Sequence, residues 1–161
     1  MGKPLVGIIM GSKSDKDIMD EVAKIFDEFN VSYEMRIVSA HRTPDVMSEY
    51  AQSAEDRGLK VIIAGAGGSA HLPGMTASHT VLPVIAVPIK RNPNDHEALW
   101  SNIKMPPGVP LATVPENGAK NAALMAIEIL ALSDNELRQL YMDYRKTLHD
   151  SVVEEDQNLG S

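Results

Sequence analysis

The sequence has no cysteine among its 161 residues, few aromatic side chains, and fewer cations than anions. Without cysteine, disulfide bonds, thiolate nucleophiles and cysteine-ligated zinc or iron–sulfur sites are all excluded. No apolar run reaches the roughly 18 to 20 residues that cross a bilayer, and the first residues do not resemble a cleavable signal. We therefore expect no membrane association and a cytoplasmic location.

The charge balance argues against binding to DNA or RNA. Fifteen Lys and Arg residues stand against 22 Asp and Glu, a net charge of −7, whereas a nucleic-acid-binding surface needs a basic face. A single nucleotide remains a possible ligand, because one local pocket can hold one phosphate. The length favours one domain over residues 1–161.

Short apolar runs alternate with longer helical patterns. The runs at 6–10, 33–38, 61–66, 84–88 and 110–114 predict strands, and VIIAGA and VIAVP are apolar on both faces, as in the centre of a covered sheet. Helices are predicted at 15–29, 44–57, 72–80, 95–103 and 118–131. A last helix is predicted at about 134–153 behind a Ser133–Glu136 capping box, with a frayed tail at about 155–161. This order predicts an α/β fold, a doubly wound parallel sheet with helices on both faces.

Open α/β sheets bind ligands at the carboxyl ends of their strands, and the loop after the first strand is GSKSD, residues 11–15. Gly11 permits a tight turn, and the serine hydroxyls and free amides of this first loop suit a phosphate. The alternative is structural: Ser12 and Asp15 form only a capping box for the helix that follows.

The second loop, SAHRTP at residues 39–44, contains an adjacent histidine and arginine. The planar fork of Arg42 suits a phosphate or a carboxylate, and its charge favours a neutral His41 that can accept a proton. Thr43 and Pro44 predict a helix start just beyond. A histidine that only bonds a backbone carbonyl is the alternative, but the place of His41 at a strand end beside Arg42 favours a catalytic role.

The third loop, residues 64–75, is AGAGGSAHLPGM. So many small residues bring backbone close to a flat or charged partner, and successive amides can line a pocket for a carboxylate or carbon dioxide. Close packing against a neighbouring subunit is the alternative, and both can hold. His71 is a weaker catalytic candidate than His41 and is expected to position or pack. The five histidines form no metal-binding pattern such as HExxH, so we expect no metal site.

Six segments together resemble the PurE family, of the bacterial type that acts on 5-(carboxyamino)imidazole ribonucleotide: GSKSD, SAHRTPD, RGLKVIIAGAGGSAHLPGM, LPVIAVP, MPPGVP and AKNAAL. The resemblance implies a three-layer flavodoxin-like fold, a homo-octamer with sites at subunit interfaces, and no metal or cofactor. It also implies a reaction of purine biosynthesis, the transfer of a carboxylate from the exocyclic amine of the ribonucleotide to ring carbon 4. By position, the resemblance makes His41 the general acid/base. The residues it implies in substrate binding are Ser12, Asp15, Ser39, Arg42, Gly67, Ser69, Ala70, His71 and Leu72.

The chain departs from the family pattern at two places. Residues 90–99 replace the usual LxGxDSL-like segment and lack its glycine, which puts the local loop conformation in question, and Ser69 stands where alanine is usual. Two alternative functions stay open: direct carboxylation of aminoimidazole ribonucleotide by carbon dioxide, and a flavodoxin-like nucleotide-binding module without catalysis. The intact GGSAHLPG favours the mutase over the carboxylase, and the retention of His41 and Arg42 argues against an inactive module.

Overall fold

A computed structural model describes residues 3–159 of the chain, and within them strands alternate with helices. The strands are β1 (Val6–Met10), β2 (Tyr33–Ile37), β3 (Val61–Gly67), β4 (Val84–Ile89) and β5 (Ala112–Thr113). The helices are α1 (Lys16–Glu28), α2 (Pro44–Ser53), α3 (His71–Ser78), α4 (Glu97–Ile103), α5 (Ala119–Leu130) and α6 (Asn135–Leu159). A 3₁₀ turn at Lys13–Asp15 precedes α1.

The five strands form one parallel sheet in the order β2-β1-β3-β4-β5. Val6 of β1 pairs with Tyr33 of β2 on one side and with Val61 of β3 on the other. The chain therefore winds in opposite directions from β1, which is the flavodoxin-like arrangement that leaves a crevice at the carboxyl ends of β1 and β3. The predicted fold class is confirmed.

Helices cover both faces of the sheet. Ile9 and Ile62 point to the face on which α2, α3 and α4 pack, and they share one buried core with Met47 of α2 and Leu72 of α3. On the opposite face Met19 of α1 lies against Gly65 of β3, where a side chain would collide with the methionine sulfur. Small residues in β3 thus bring a helix close to the strand that leads into the third loop.

The last strand and the last helix differ from the sequence prediction. β5 has only two residues instead of 110–114, and Pro110 and Pro115 flank it; proline has no N–H to donate to a strand ladder. The first helical turn of α6 is capped by Asp134, whose Oδ1 accepts the Leu137 N–H at 2.9 Å, so the predicted Ser133 capping box is wrong. α6 continues to Leu159, beyond the predicted end near residue 153, and residues 160–161 of the predicted frayed tail lie outside the described part.

The chain forms two compact units, one ending at Ala126 and the other beginning at Ile127, and a single domain stays a prediction. In the second unit the Tyr141 hydroxyl donates to Glu128 Oε1 at 2.5 Å, and the Tyr141 and Tyr144 rings stack 6.4 Å apart. None of the helices between residues 3 and 159 is long and apolar enough to cross a bilayer.

Candidate active site

A cavity of about 730 Å³ opens at the carboxyl ends of β1, β2, β3 and β4. The three loops singled out from the sequence meet around it, together with the segment that follows β4. Its lining residues are Gly11, Ser12, Ser14, Asp15, Ser39, Ala40, His41, Arg42, Ala66, Gly67, Gly68, Ser69, His71, Leu72, Ile89, Lys90, Arg91, Asn92, Asp95 and Ala98. The sheet topology thus brings together segments that lie far apart in the sequence.

Hydroxyl groups of the first loop are turned toward one carboxylate. Ser12 Oγ and Ser14 Oγ lie 2.5 Å apart, and they donate to the two oxygens of Asp15 at 3.4 and 3.5 Å. Neither Ser12 nor Asp15 caps a helix through its side chain. The capping-box alternative for Ser12 and Asp15 is therefore wrong, and these polar groups face the cavity.

The second loop is fixed by hydrogen bonds between its own residues. Thr43 Oγ1 accepts the Ser39 N–H and donates to the Ser39 carbonyl, both at 3.1 Å. Ser39 Oγ accepts the Arg42 amide at 3.2 Å and Arg42 Nε at 3.3 Å, and Arg42 Nη2 donates to the Gly11 carbonyl at 2.7 Å. The guanidinium is thus held between the second loop and the first. Helix α2 begins at Pro44 as predicted, although the Thr43 hydroxyl bonds back to Ser39 instead of capping the helix.

Two histidines from different loops meet at the cavity wall. His41 Nε2 lies 2.8 Å from His71 Nδ1, and the rings are perpendicular with their centroids 4.9 Å apart. The distance is that of a hydrogen bond, in which one ring nitrogen donates and the other accepts. His71 is therefore a direct partner of His41, whereas the sequence predicts only that His71 positions or packs.

Backbone forms the cavity wall at the third loop. A side chain at Gly67 would lie 3.2 Å from the Ile89 carbonyl, and Gly68 has a left-handed φ of 59° that favours glycine. Leu72 lines the cavity from a buried position. Ala70 is the exception among the expected residues: only 1% exposed, it packs in the core and is not part of the lining.

The segment after β4, which we call the fourth loop (residues 90–96), adds two cations that sequence reasoning did not assign. Lys90 and Arg91 both line the cavity, in the stretch that departs from the family pattern. They follow directly after β4, a buried strand that pairs with β3, and this position could have predicted that they lie at the cavity.

Two residues just before α5, Glu116 and Asn117, bond the side chain and the backbone of Lys90. The side-chain amide of Asn117 accepts the Lys90 N–H at 2.8 Å and donates to the Lys90 carbonyl at 3.0 Å. Glu116 accepts Lys90 Nζ at 3.1 Å and contacts His96 Nδ1 at 2.8 Å. Burial acts to raise the pKa of the Glu116 carboxyl, but the hydrogen bonds from Lys90 and His96 outweigh it and the pKa lies below its usual value. Glu116 thus neutralises Lys90 at the cavity edge.

Arg91 reaches across to the first loop and the start of α1. Its Nη1 and Nη2 bond the two oxygens of Asp17 at 2.9 and 2.7 Å, and Nη2 also donates to the Ser14 carbonyl. The hydrogen bond from Arg91 lowers the pKa of the Asp17 carboxyl to about 2.

Residues 3–159 contain no cluster of three or more His, Asp or Glu side chains arranged for a metal ion. His96 contacts Lys90 and Glu116, and His149 contacts Asp150 on α6. Neither histidine lines the cavity.

Comparison with known proteins agrees with this geometry. The family model described as AIR carboxylase matches residues 5–151. The N5-carboxyaminoimidazole ribonucleotide mutase of Pyrococcus abyssi is 54% identical over 149 residues, covering 92% of this chain and 86% of the relative. The protein of the same name from Bacillus subtilis is 51% identical over 160 residues, covering 98% and 99%. A crystal structure of Treponema denticola PurE matches with a TM-score of 0.88 and 32% identity, over 97% of this chain and 98% of that one. The family model and these relatives match nearly the whole chain, and the sheet order and the cavity agree with them. The protein therefore belongs to the AIR carboxylase family.

Proposed function

We propose that this protein is an N5-carboxyaminoimidazole ribonucleotide mutase of purine biosynthesis, in which His41 moves the proton. Relatives about half identical to it over nearly their full length share that name. The structural observation that carries the proposal is the 2.8 Å contact between His41 and His71 on the wall of a cavity lined by serine hydroxyls, an arginine and glycine backbone.

The reaction needs one proton given and one taken. Protonation of the carbamate nitrogen breaks its bond to the carboxylate and leaves the free amine and carbon dioxide. Ring carbon 4 then attacks the carbon dioxide, and loss of its proton restores the aromatic ring. The proton given in the first half equals the proton taken in the second, so a single imidazole can serve both halves. No step consumes an oxidant or a nucleoside triphosphate.

The histidine pair suits this alternation. If His71 Nδ1 donates to His41 Nε2, then His41 carries its proton on Nδ1 and can give it to the substrate. If His41 Nε2 donates instead, His41 Nδ1 has a free lone pair and can accept. In the first half, His41 Nδ1 gives its proton to the substrate while the proton of His71 Nδ1 moves along the 2.8 Å contact to His41 Nε2. In the second half, His41 Nδ1 takes the proton from ring carbon 4 and the shared proton returns to His71, so the pair ends as it began. In this mechanism His41 is the catalytic residue and His71 positions it and sets its tautomer.

The remaining cavity residues have complementary tasks in this proposal. Arg42, held by Ser39, supplies positive charge beside His41. The Asp15 carboxylate accepts hydrogen bonds from ribose hydroxyls, and Ser12 offers a further hydroxyl. The third loop, with the backbone of Gly67 and Ser69 and the side chain of Leu72, retains carbon dioxide near ring carbon 4. Retention keeps the two reacting molecules together and excludes water.

A turnover assay tests the proposal against direct carboxylation. We expect the purified protein to convert 5-(carboxyamino)imidazole ribonucleotide to the ring-carboxylated product at the same rate with and without added bicarbonate. The product is followed by its ultraviolet absorbance. A protein that acts only on aminoimidazole ribonucleotide with a carbon dioxide supply would be a carboxylase, and one that binds the nucleotide without any turnover would be a non-catalytic module.

We also propose that the protein assembles as a homo-octamer and works in the cytoplasm, where nucleotides are made. The octamer follows from the family resemblance, and α6 supports self-association because it exposes apolar side chains at Leu140, Met142, Leu148 and Val152. Light scattering is expected to give a particle of eight times the 17.5 kDa chain. An active particle of the mass of one chain would contradict this assembly.

A further inference from the structure

We propose that Glu97 is a positioning residue: through the Ser69 side chain it fixes the turn of the third loop behind which carbon dioxide is held between the two halves of the reaction. This inference rests on the proposed function, because it takes carbon dioxide to be released and recaptured in the cavity. Ser69 lines the cavity and Glu97 does not, so the effect of Glu97 on the reaction is indirect.

The third loop is anchored at two points with a weakly held turn between them. Gly67 is held at the end of β3 by its pairing with Ile89 of β4, and Ala70 is held by the core, where it is 1% exposed. Between them, Gly68 has no side chain, and nothing lies within 4 Å of the place where its Cβ would be. The position of this turn therefore depends on Ser69.

Glu97 contacts the turn through the Ser69 side chain. Ser69 Oγ donates to Glu97 Oε1, and a hydrogen bond to a carboxylate is stronger than one between neutral groups. The Ser69 carbonyl accepts the His71 N–H at 2.8 Å. The carboxylate thus holds the residue whose main chain faces the cavity and bonds the first residue of α3.

The backbone of Glu97 is itself fixed, so its carboxylate projects from a firm base. Asp95 Oδ1 accepts the Glu97 N–H at 2.8 Å, and the Glu97 carbonyl accepts the Ser101 hydroxyl at 2.8 Å. The next residue, Ala98, is 5% exposed and packs in the same core as Leu72. The start of α4 therefore serves as the fixed partner of the contact, and the turn of the third loop is the part that it holds.

The two departures from the family pattern meet in this hydrogen bond. Glu97 follows the fourth loop in the segment 90–99 that replaces the usual one, and Ser69 stands where alanine is usual. Alanine has no hydroxyl to donate, so the contact needs both residues. The two departures therefore form a pair, and each is expected to lose its effect without the other.

The contact is open to solvent, which limits the size of its effect. Both Ser69 and Glu97 are exposed, and an exposed charged contact changes an equilibrium by about two- to fivefold, less than a buried one. Loss of the contact loosens the turn by about that factor. More carbon dioxide then leaves the cavity before ring carbon 4 captures it, and aminoimidazole ribonucleotide is left behind.

The test measures this escape in five proteins: the wild type, Ser69→Ala, Glu97→Ala, the double variant and the control Ser101→Ala. The control also removes a serine hydroxyl bonded to Glu97, but one bonded to the main chain. Each protein is given the carboxyamino ribonucleotide. Escape is the amount of aminoimidazole ribonucleotide formed per ring-carboxylated product, after subtraction of the decay without protein. This ratio does not change with the fraction of the protein that is folded.

Ser69→Ala and Glu97→Ala are each expected to raise the ratio about two- to fivefold. The double variant is expected to raise it no further, because both substitutions remove the same contact, and Ser101→Ala is expected to match the wild type. Glu97→Gln keeps an oxygen that accepts the Ser69 hydroxyl, so it is expected to recover part of the difference. Calorimetry with the product nucleotide is expected to give an unchanged dissociation constant in all variants.

Several outcomes overturn the proposal. They are an unchanged ratio in Ser69→Ala or Glu97→Ala, effects that add in the double variant, and a rise in Ser101→Ala as large as that in Ser69→Ala, which would assign the effect to α4 as a whole. Weaker product binding in Ser69→Ala with an unchanged ratio would make Ser69 a ligand contact instead. The proposed function fails separately: a wild type without turnover loses the mutase, whereas wild-type turnover with unaltered variants loses only the role of Glu97.

Discussion

Replacement of His41 by asparagine is expected to lower kcat by about 10²- to 10⁴-fold, the range that general acid–base catalysis contributes. Asparagine keeps a polar side chain at this position, but it neither gives nor takes a proton at neutral pH. Steady-state assays on the carboxyamino ribonucleotide measure the loss, and calorimetry with the product nucleotide measures binding. The dissociation constant is expected to change by less than about threefold.

The matched control is His71→Ala, which keeps the catalytic imidazole and removes its 2.8 Å partner. A positioning role predicts a smaller loss of kcat than for His41→Asn and a displaced pH profile, because His41 then has no neighbour to fix its tautomer. If His41→Asn lost ligand binding along with turnover, His41 would be a recognition residue. If His71→Ala were the more damaging change, the two roles would have to be exchanged.

Replacement of Arg42 by alanine is expected to act mainly on affinity. The guanidinium contributes charge beside His41, and it also joins Ser39 of the second loop to the Gly11 carbonyl of the first. Loss of a hydrogen bond to a charged group costs about 1.5–3 kcal/mol, or about 10- to 150-fold in the dissociation constant. Calorimetry with the product nucleotide is the measurement, and kcat is expected to fall less than affinity.

Arg42→Lys is the control for this experiment. Lysine keeps the charge but cannot bond Ser39 and a ligand oxygen through one planar group, so an intermediate affinity is expected. Because the planar fork of Arg42 suits a phosphate or a carboxylate, the phosphate-free nucleoside distinguishes the two: if Arg42→Ala weakens the nucleotide and the nucleoside by similar factors, Arg42 holds the carboxylate. Unchanged affinity for both would refute the clamp, and a loss confined to the nucleotide would make Arg42 the phosphate residue.

Much of the fold could be predicted because the signals are local. The predicted strand at 6–10 has the observed bounds, and β3 and β4 were recognised as central from apolar runs that are buried along almost their entire length. α6 was placed within one residue at its start, but its end was missed. The polar residues near 155–159 indicated fraying, while the helix continues because no proline or glycine stops it before Gly160.

The candidate site could be predicted in part, for a similar reason. The rule that ligands bind at strand ends led directly to the loops containing Ser12, His41 and Gly67. The contact between His41 and His71 joins residues 30 apart in the sequence, and no local sequence pattern predicts such a contact. The sequence also does not predict the hydrogen bonds from Asn117 to the Lys90 backbone, because they depend on the end of β4 lying beside the turn before α5.

The measurement that tests the central claim most directly follows the carboxylate carbon itself. In the proposed mechanism, carbon dioxide released from nitrogen stays in the cavity and is taken up by ring carbon 4 of the same molecule. Substrate labelled with carbon-13 in the carboxylate is converted in buffer that contains excess unlabelled bicarbonate, and the product is analysed by mass spectrometry. Nearly complete retention of the label is the predicted result; a product that carries the isotope ratio of the buffer would contradict it.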